Sequence, residues 1–226
     1  MRGYEVRSLR PVRVLKDDDP EAAALHRDGW RVVAESWGAR LVLDDGFDPA
    51  PFRSFVERAE QQDVAVAELD EGWTEALLAF EAATHDDYPV TPATPAPPLR
   101  DGDDIAERRA AGWRVFGAVR DGVVLAASWI RVHGDQAETE TTAVLATERR
   151  RGLAVAVKAA SVLAAAADGA RTFATGGAGV NAGSIAMNQS LGYTLTERWL
   201  SLSAPEPSDS SSGAAVSDAS ARPTTR

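Results

Sequence analysis

The chain has 226 residues, 44% of them hydrophobic and 26% charged, with 24 Lys and Arg against 34 Asp and Glu for a net charge of −10. That length buries a sizeable core, and an acidic surface disfavours nucleic acid and anionic membrane as partners. There is no cysteine and only three scattered histidines, His26, His85 and His133, which excludes disulfides, thiolate chemistry and a histidine metal cluster, so no metal is expected. The opening MRGYEVRSLRPVRVL lacks the apolar run of a secretory leader, and apolar stretches such as Val123 to Ile130 are too short to span a bilayer, so the expected location is cytoplasmic.

In chain order, the pattern predicts a helix over Pro20–Arg27, a strand over Trp30–Leu43 and a helix over Pro49–Gln61. VAVAELD (Val64–Asp70) reads as a strand, and Trp73, Ala76, Leu77, Phe80 and Glu81 fall at helical spacing. The stretch from Pro89 to Asp104, PVTPATPAPPLRDGDD, holds too many prolines for the interior of a helix or strand and reads as an extended loop. Trp113–Val132 is two strands joined by Arg120-Asp121-Gly122, a hairpin signal. AETETTAVLA (Ala137–Ala146) suggests a third strand, followed by an alanine-rich helix that stops at Asp168-Gly169. RTFATGG is a short strand, a helix runs over Ala182–Leu191 and closes at Gly192, and YTLTERWLSL is the last strand. From about Ala204 the chain is rich in Ser, Ala and Pro and reads as disordered.

The expected architecture is therefore a mixed α/β domain over residues 63–203, an antiparallel meander followed by β-α-β-α-β. Residues 1–62 read as a small α/β extension. Within it DGWRVVAESWGARL resembles LGYTLTERWLSL near the other end: glycine, aromatic, β-formers, then an acidic residue and tryptophan. Either the extension is a degenerate half-copy of the same fold, or two aromatic-rich strands are alike by chance. Trp73, Trp113, Trp129 and Trp199 are expected in the core, while Trp30 and Trp37 pack the extension.

The densest positive charge stands in TERRRGLAVAVK, Thr147–Lys158, at the mouth of the alanine-rich helix. A helix start leaves backbone N–H groups unpaired and carries partial positive charge. Gly152 and Ala154 are small enough to let an anion approach, and Arg149, Arg150 and Arg151 add full charges. The combination reads as a pyrophosphate site, although arginines alone would read as an exposed cluster.

Here the sequence resembles the GNAT superfamily of acyl-CoA-dependent N-acyltransferases. Arg149-Arg150-Arg151-Gly152-Leu153-Ala154 is similar to the family pattern of Arg or Gln, two residues, Gly, one residue, Gly or Ala. Asn181, Asn188, Leu191, Gly192 and Tyr193 match its Asn-rich helix ending in Leu-Gly-aromatic, and the resemblance covers roughly Val64 to Leu200. It implies a mostly antiparallel sheet with one splayed parallel pair, acetyl-CoA as donor, and an amine that attacks the thioester directly in a ternary complex. It further implies that Val144 pairs with pantetheine, that the amides of Arg149–Ala154 hold the pyrophosphate, and that Asn181 bonds the pantetheine arm or neighbouring backbone. The oxyanion is expected to meet a strand amide near Leu145.

Glu138 or Glu140 is the expected proton acceptor: they stand two apart on one strand and so share a face. Family members also place a tyrosine where this chain has Asn188, four residues before Gly192. The leaving thiolate then departs unaided, or Tyr193, Tyr88 or Ser184 serves; the resemblance counts Asn188 among the cofactor-binding positions, while its own chemistry reads as structural. His85-Asp86-Asp87-Tyr88 falls where the fold binds its acceptor, a small-molecule or peptide amine that the acidic balance favours as cationic. A non-catalytic acyl-CoA-binding or interaction module is the alternative. Whether the protein is a monomer or a homodimer stays open, as does whether the extension closes over the acceptor or mediates a dimer.

Overall fold

The computed structural model describes residues 11–95 and 97–206. The expected disorder of the tail falls, from residue 207 on, outside the described residues.

The chain opens with β1 (Val12–Lys16) and α1 (Pro20–Arg27). Asp19 caps α1 by accepting from the Glu21 amide, Pro20 takes the first position, and His26 and Arg27 stand in the last turn, each at the end where its chemistry favours a helix. Next come β2 (Arg31–Val42), α2 (Ala50–Glu60), β3 (Ala65–Glu68) and α3 (Thr74–Thr84), which ends in a 3-10 turn at His85–Asp87. A helix follows that the proline-rich reading did not anticipate, α4 (Gly102–Ala110). The prolines stop at Pro98. Beyond them Asp101 caps two amides, Asp103 and Asp104 sit in the first turn, Arg108 and Arg109 in the last, and Ile105 is buried as the anchor. β4 (Trp113–Arg120) and β5 (Val123–His133) form the expected hairpin. Asp121 and Gly122 both have positive φ, 51° and 77°, the geometry whose twist matches paired strands. β6 (Gln136–Val144), α5 (Leu153–Ala167), β7 (Thr172–Ala178), α6 (Ala182–Ser190) and β8 (Thr194–Ser203) complete the chain.

All eight strands join one sheet in the order β1-β8-β2-β7-β6-β5-β4-β3. Every neighbouring pair is antiparallel except β6 and β7, which the α5 crossover joins in parallel. β2, from the first sixty residues, lies inside the sheet between β7 and β8. Its Trp37 is buried, donates Nε1–H to the Ala178 carbonyl at 3.1 Å, and lies over Gly177, where a Cβ would come within 2.9 Å of the indole.

Side chains alternate across the sheet and divide the core. Phe116, Ile130 and Phe173 face α2, α5 and α6 on one side, while Val115, Ala127 and Trp129 face α3 and α4 on the other. α1 packs separately, with Ala22 against Leu200 and Leu202.

Candidate active site

The parallel pairing of β6 and β7 runs from Gln136 opposite Thr172 to Thr139 opposite Thr175 and stops there. β6 continues to Val144 on β5 alone, so its edge over 140–144 faces a gap where the two strands part. At that point β6 carries a bulge: Glu140 and Thr141 together oppose Trp129, between the pairs Ile130–Thr139 and Ser128–Thr142. A bulge re-aims backbone groups next to a site.

The gap opens into a cleft of about 770 Å³, at the start of α5. Arg150 and Gly152 both take left-handed backbone, φ 64° and 81°, a conformation common where backbone amides gather around an anion. No side chain caps α5, and a Cβ built on Gly152 would meet no atom within 4 Å. The first amides of the helix are thus open, as an anion site requires. Val144, Arg149, Arg150, Gly152, Leu153, Ala154 and Asn181 all line this cleft.

The other expected cofactor residues stand elsewhere. Leu145 packs into the core, and its amide donates to the Leu125 carbonyl at 2.9 Å, which removes it as an oxyanion donor. Arg151 turns away to Glu148 and Gln62. Asn188 is buried and spends its Nδ2 on the Ser184 carbonyl at 2.8 Å, one turn back in its own helix, in keeping with a structural role rather than ligand contact. Asn181 caps α6 by accepting from the Ser184 amide at 3.0 Å, and so shapes the wall it lines. Of the three arginines, Arg149 bonds the Val144 carbonyl at 3.3 Å and pairs with Asp87 at 2.6 Å; Arg150 alone has no ion pair among the described residues.

A second cavity of about 460 Å³ lies beside the first and holds both candidate glutamates. Glu138 is half exposed and 3.6 Å from Arg131, whereas Glu140 is ion-paired with Arg108 of α4. Ser36, Trp37 and Gly38 of β2 form part of the wall. Glu197 of β8 adds a third carboxylate; bonds from Lys16 and the Trp199 indole hold it below the usual carboxylate range. The pattern of the sequence did not single out Glu197 or Arg108. It also passed over Lys158, the only charged residue in α5, which is buried against the Thr175 hydroxyl at 3.0 Å and the Tyr193 ring.

Among the described residues no cluster of three His, Asp or Glu could hold a metal, and no helix is long and apolar enough to cross a membrane. The fold is that of the GNAT superfamily. It is similar to a GCN5-related N-acetyltransferase from Sphaerobacter thermophilus (TM-score 0.65, 14% identity, covering 84% of this chain and 58% of that one). It is also similar to a tandem GNAT protein of the clavulanic acid biosynthesis pathway (0.58, 18%, 88% and 65%). A third likeness is to a GCN5-related N-acetyltransferase from Kribbella flavida (0.55, 20%, 87% and 68%). The chain thus spans roughly three fifths to two thirds of the length of these proteins. No family model and no curated protein matches it.

Proposed function

We propose that the protein transfers the acetyl group of acetyl-CoA to a primary amine by direct attack in a ternary complex. The observation that carries this reading is the uncapped start of α5, open to a cleft beside the unpaired edge of β6. The amides from Arg150 to Ala154, with the unpaired guanidinium of Arg150, suit a pyrophosphate. The edge over 140–144 suits the amides of a pantetheine arm, added like a strand. Arg149 releases the Val144 carbonyl as that arm arrives.

The amine enters from the second cavity. Its three carboxylates, Glu138, Glu140 and Glu197, favour a cationic acceptor, and the first two stand ready to take its proton. Glu138 is the less committed base, because Arg108 neutralises Glu140. The bulge at Glu140–Thr141 is the place for an oxyanion donor, in place of Leu145. Holding both reactants in line supplies a large part of the acceleration.

The competing reading is a non-catalytic acyl-CoA-binding module, favoured by Asn188 at the tyrosine position. Mixing the protein with acetyl-CoA and putrescine, lysine methyl ester, glucosamine or an alanyl peptide, and following free thiol, separates the two. Thiol release with any of these amines supports the enzyme. Binding of CoA without release from any of them supports the module.

A further inference from the structure

The donor cleft and the acceptor cavity have one lining residue in common among the described residues, Tyr88. In acyl transfer the breaking C–S bond lies where donor and acceptor meet, so a side chain on both walls is the one placed to reach a departing sulfur. Tyr88 follows the 3-10 turn at the end of α3, with its amide bonded to the His85 carbonyl at 3.1 Å. It is half-buried, and its hydroxyl has no hydrogen-bond partner among the described residues. Next to it in sequence, Asp87 pairs with Arg149, which pins this segment to the start of α5.

We infer that Tyr88 is the general acid of the reaction, giving its phenolic proton to the CoA thiolate. The inference rests on the acetyl-transfer reading above. The amine nitrogen bonds to the acetyl carbon and the C–S bond breaks, its electron pair going to sulfur. Sulfur takes the proton of Tyr88. The proton lost by the nitrogen goes to a cavity glutamate and from there restores the phenol. Amine and thioester become amide and thiol with no other reagent.

The remaining hydroxyls fit worse. Tyr193 is buried and lines neither cavity, and Tyr4 lies outside the described residues. Ser184 lines the donor cleft only and is a far weaker acid than a phenol. Burial and the charge of Glu140 raise the pKa of Tyr88, so the phenol carries its proton before the reaction begins. Other ionisable groups around this segment are Glu81 and His85 at the end of α3, and the Arg108 that pairs with Glu140.

The test is Tyr88→Phe, which keeps the ring and removes the proton. Turnover of acetyl-CoA with the amines named above is expected to fall roughly 100-fold, while calorimetric affinity for CoA and the melting temperature stay as in the wild type. A variant that turns over within about threefold of wild type overturns the assignment. A wild-type protein that binds CoA but releases no thiol overturns the acetyl-transfer reading, and this inference with it.

Discussion

Lys158 is the residue whose chemistry is furthest from its ordinary state. Burial alone lowers its pKa from 10.5 to about 7, because nothing around it carries a compensating negative charge. The unfolded chain takes up this proton from about pH 10.5 downward, the folded chain only from about 7. Stability therefore falls as pH drops through that window and is level below it; at about 1.4 kcal/mol per unit the change is roughly 5 kcal/mol. Lys158→Met should remove that dependence, so that chemical denaturation of wild type and variant, compared between pH 7 and 10, converges at the alkaline end. Parallel curves would show that Lys158 is charged in the fold. Nothing in the residue order announces such a group, since a lysine in an alanine-rich helix reads as its solvent side. Glu138 and Glu140 were legible, because a spacing of two places them on a common face of a regular strand, and the bulge begins only at Glu140; their unequal engagement was not, since Arg108 arrives from a helix 32 residues earlier. Glu138→Gln is expected to lower kcat by about 10²-fold or more with CoA affinity unchanged. Full activity would pass the role to Glu140.

At the level of elements, the start of α5 was readable because the signal is local. Small residues after a basic run leave a helix uncapped, and the structure adds only the left-handed backbone at Arg150 and Gly152. Gly152→Asp tests the consequence. The new carboxylate would enter open space, so the fold survives apart from the strain of a positive φ, about 1 kcal/mol. It would, however, place a negative charge where the pyrophosphate is proposed to sit. CoA affinity by calorimetric titration should fall at least 100-fold, and unchanged affinity would move the donor site away from this turn. α4 escaped the sequence reading for the opposite reason. Its cap, Asp101, belongs to the run that the prolines marked as extended, and its anchor, Ile105, is a single buried residue rather than a periodic face.

The arrangement of the whole molecule turns on β2, a strand whose existence the sequence showed and whose place it did not, because pairing across some 140 residues leaves no local trace. Three times a helix ends on a left-handed glycine, Gly29 at φ 84°, Gly112 at φ 86° and Gly192 at φ 86°, and passes through an aromatic into a strand. Two of these strands, β2 and β8, pair antiparallel to each other. Because the same turn recurs at Gly112, it is a general helix-to-strand connection in this fold, and it fits a chance likeness of residues 1–62 as well as a degenerate half-copy. Through Ser36, Trp37 and Gly38 the segment also walls the second cavity, where the amine is proposed to enter. A chain of residues 63–203 alone would leave β7 and β8 with bare edges and strip the cover from Phe173 and Leu191, which pack with Trp37, Ala39 and Leu41. Unpaired edges and exposed core invite aggregation rather than folding. The shortened chain is expected to show no cooperative melt, and co-expression with residues 1–62 to restore one together with CoA binding. If residues 63–203 melt cooperatively by themselves and still bind CoA, β2 is an attachment to a domain already complete, and the proposed acceptor site must be built without it.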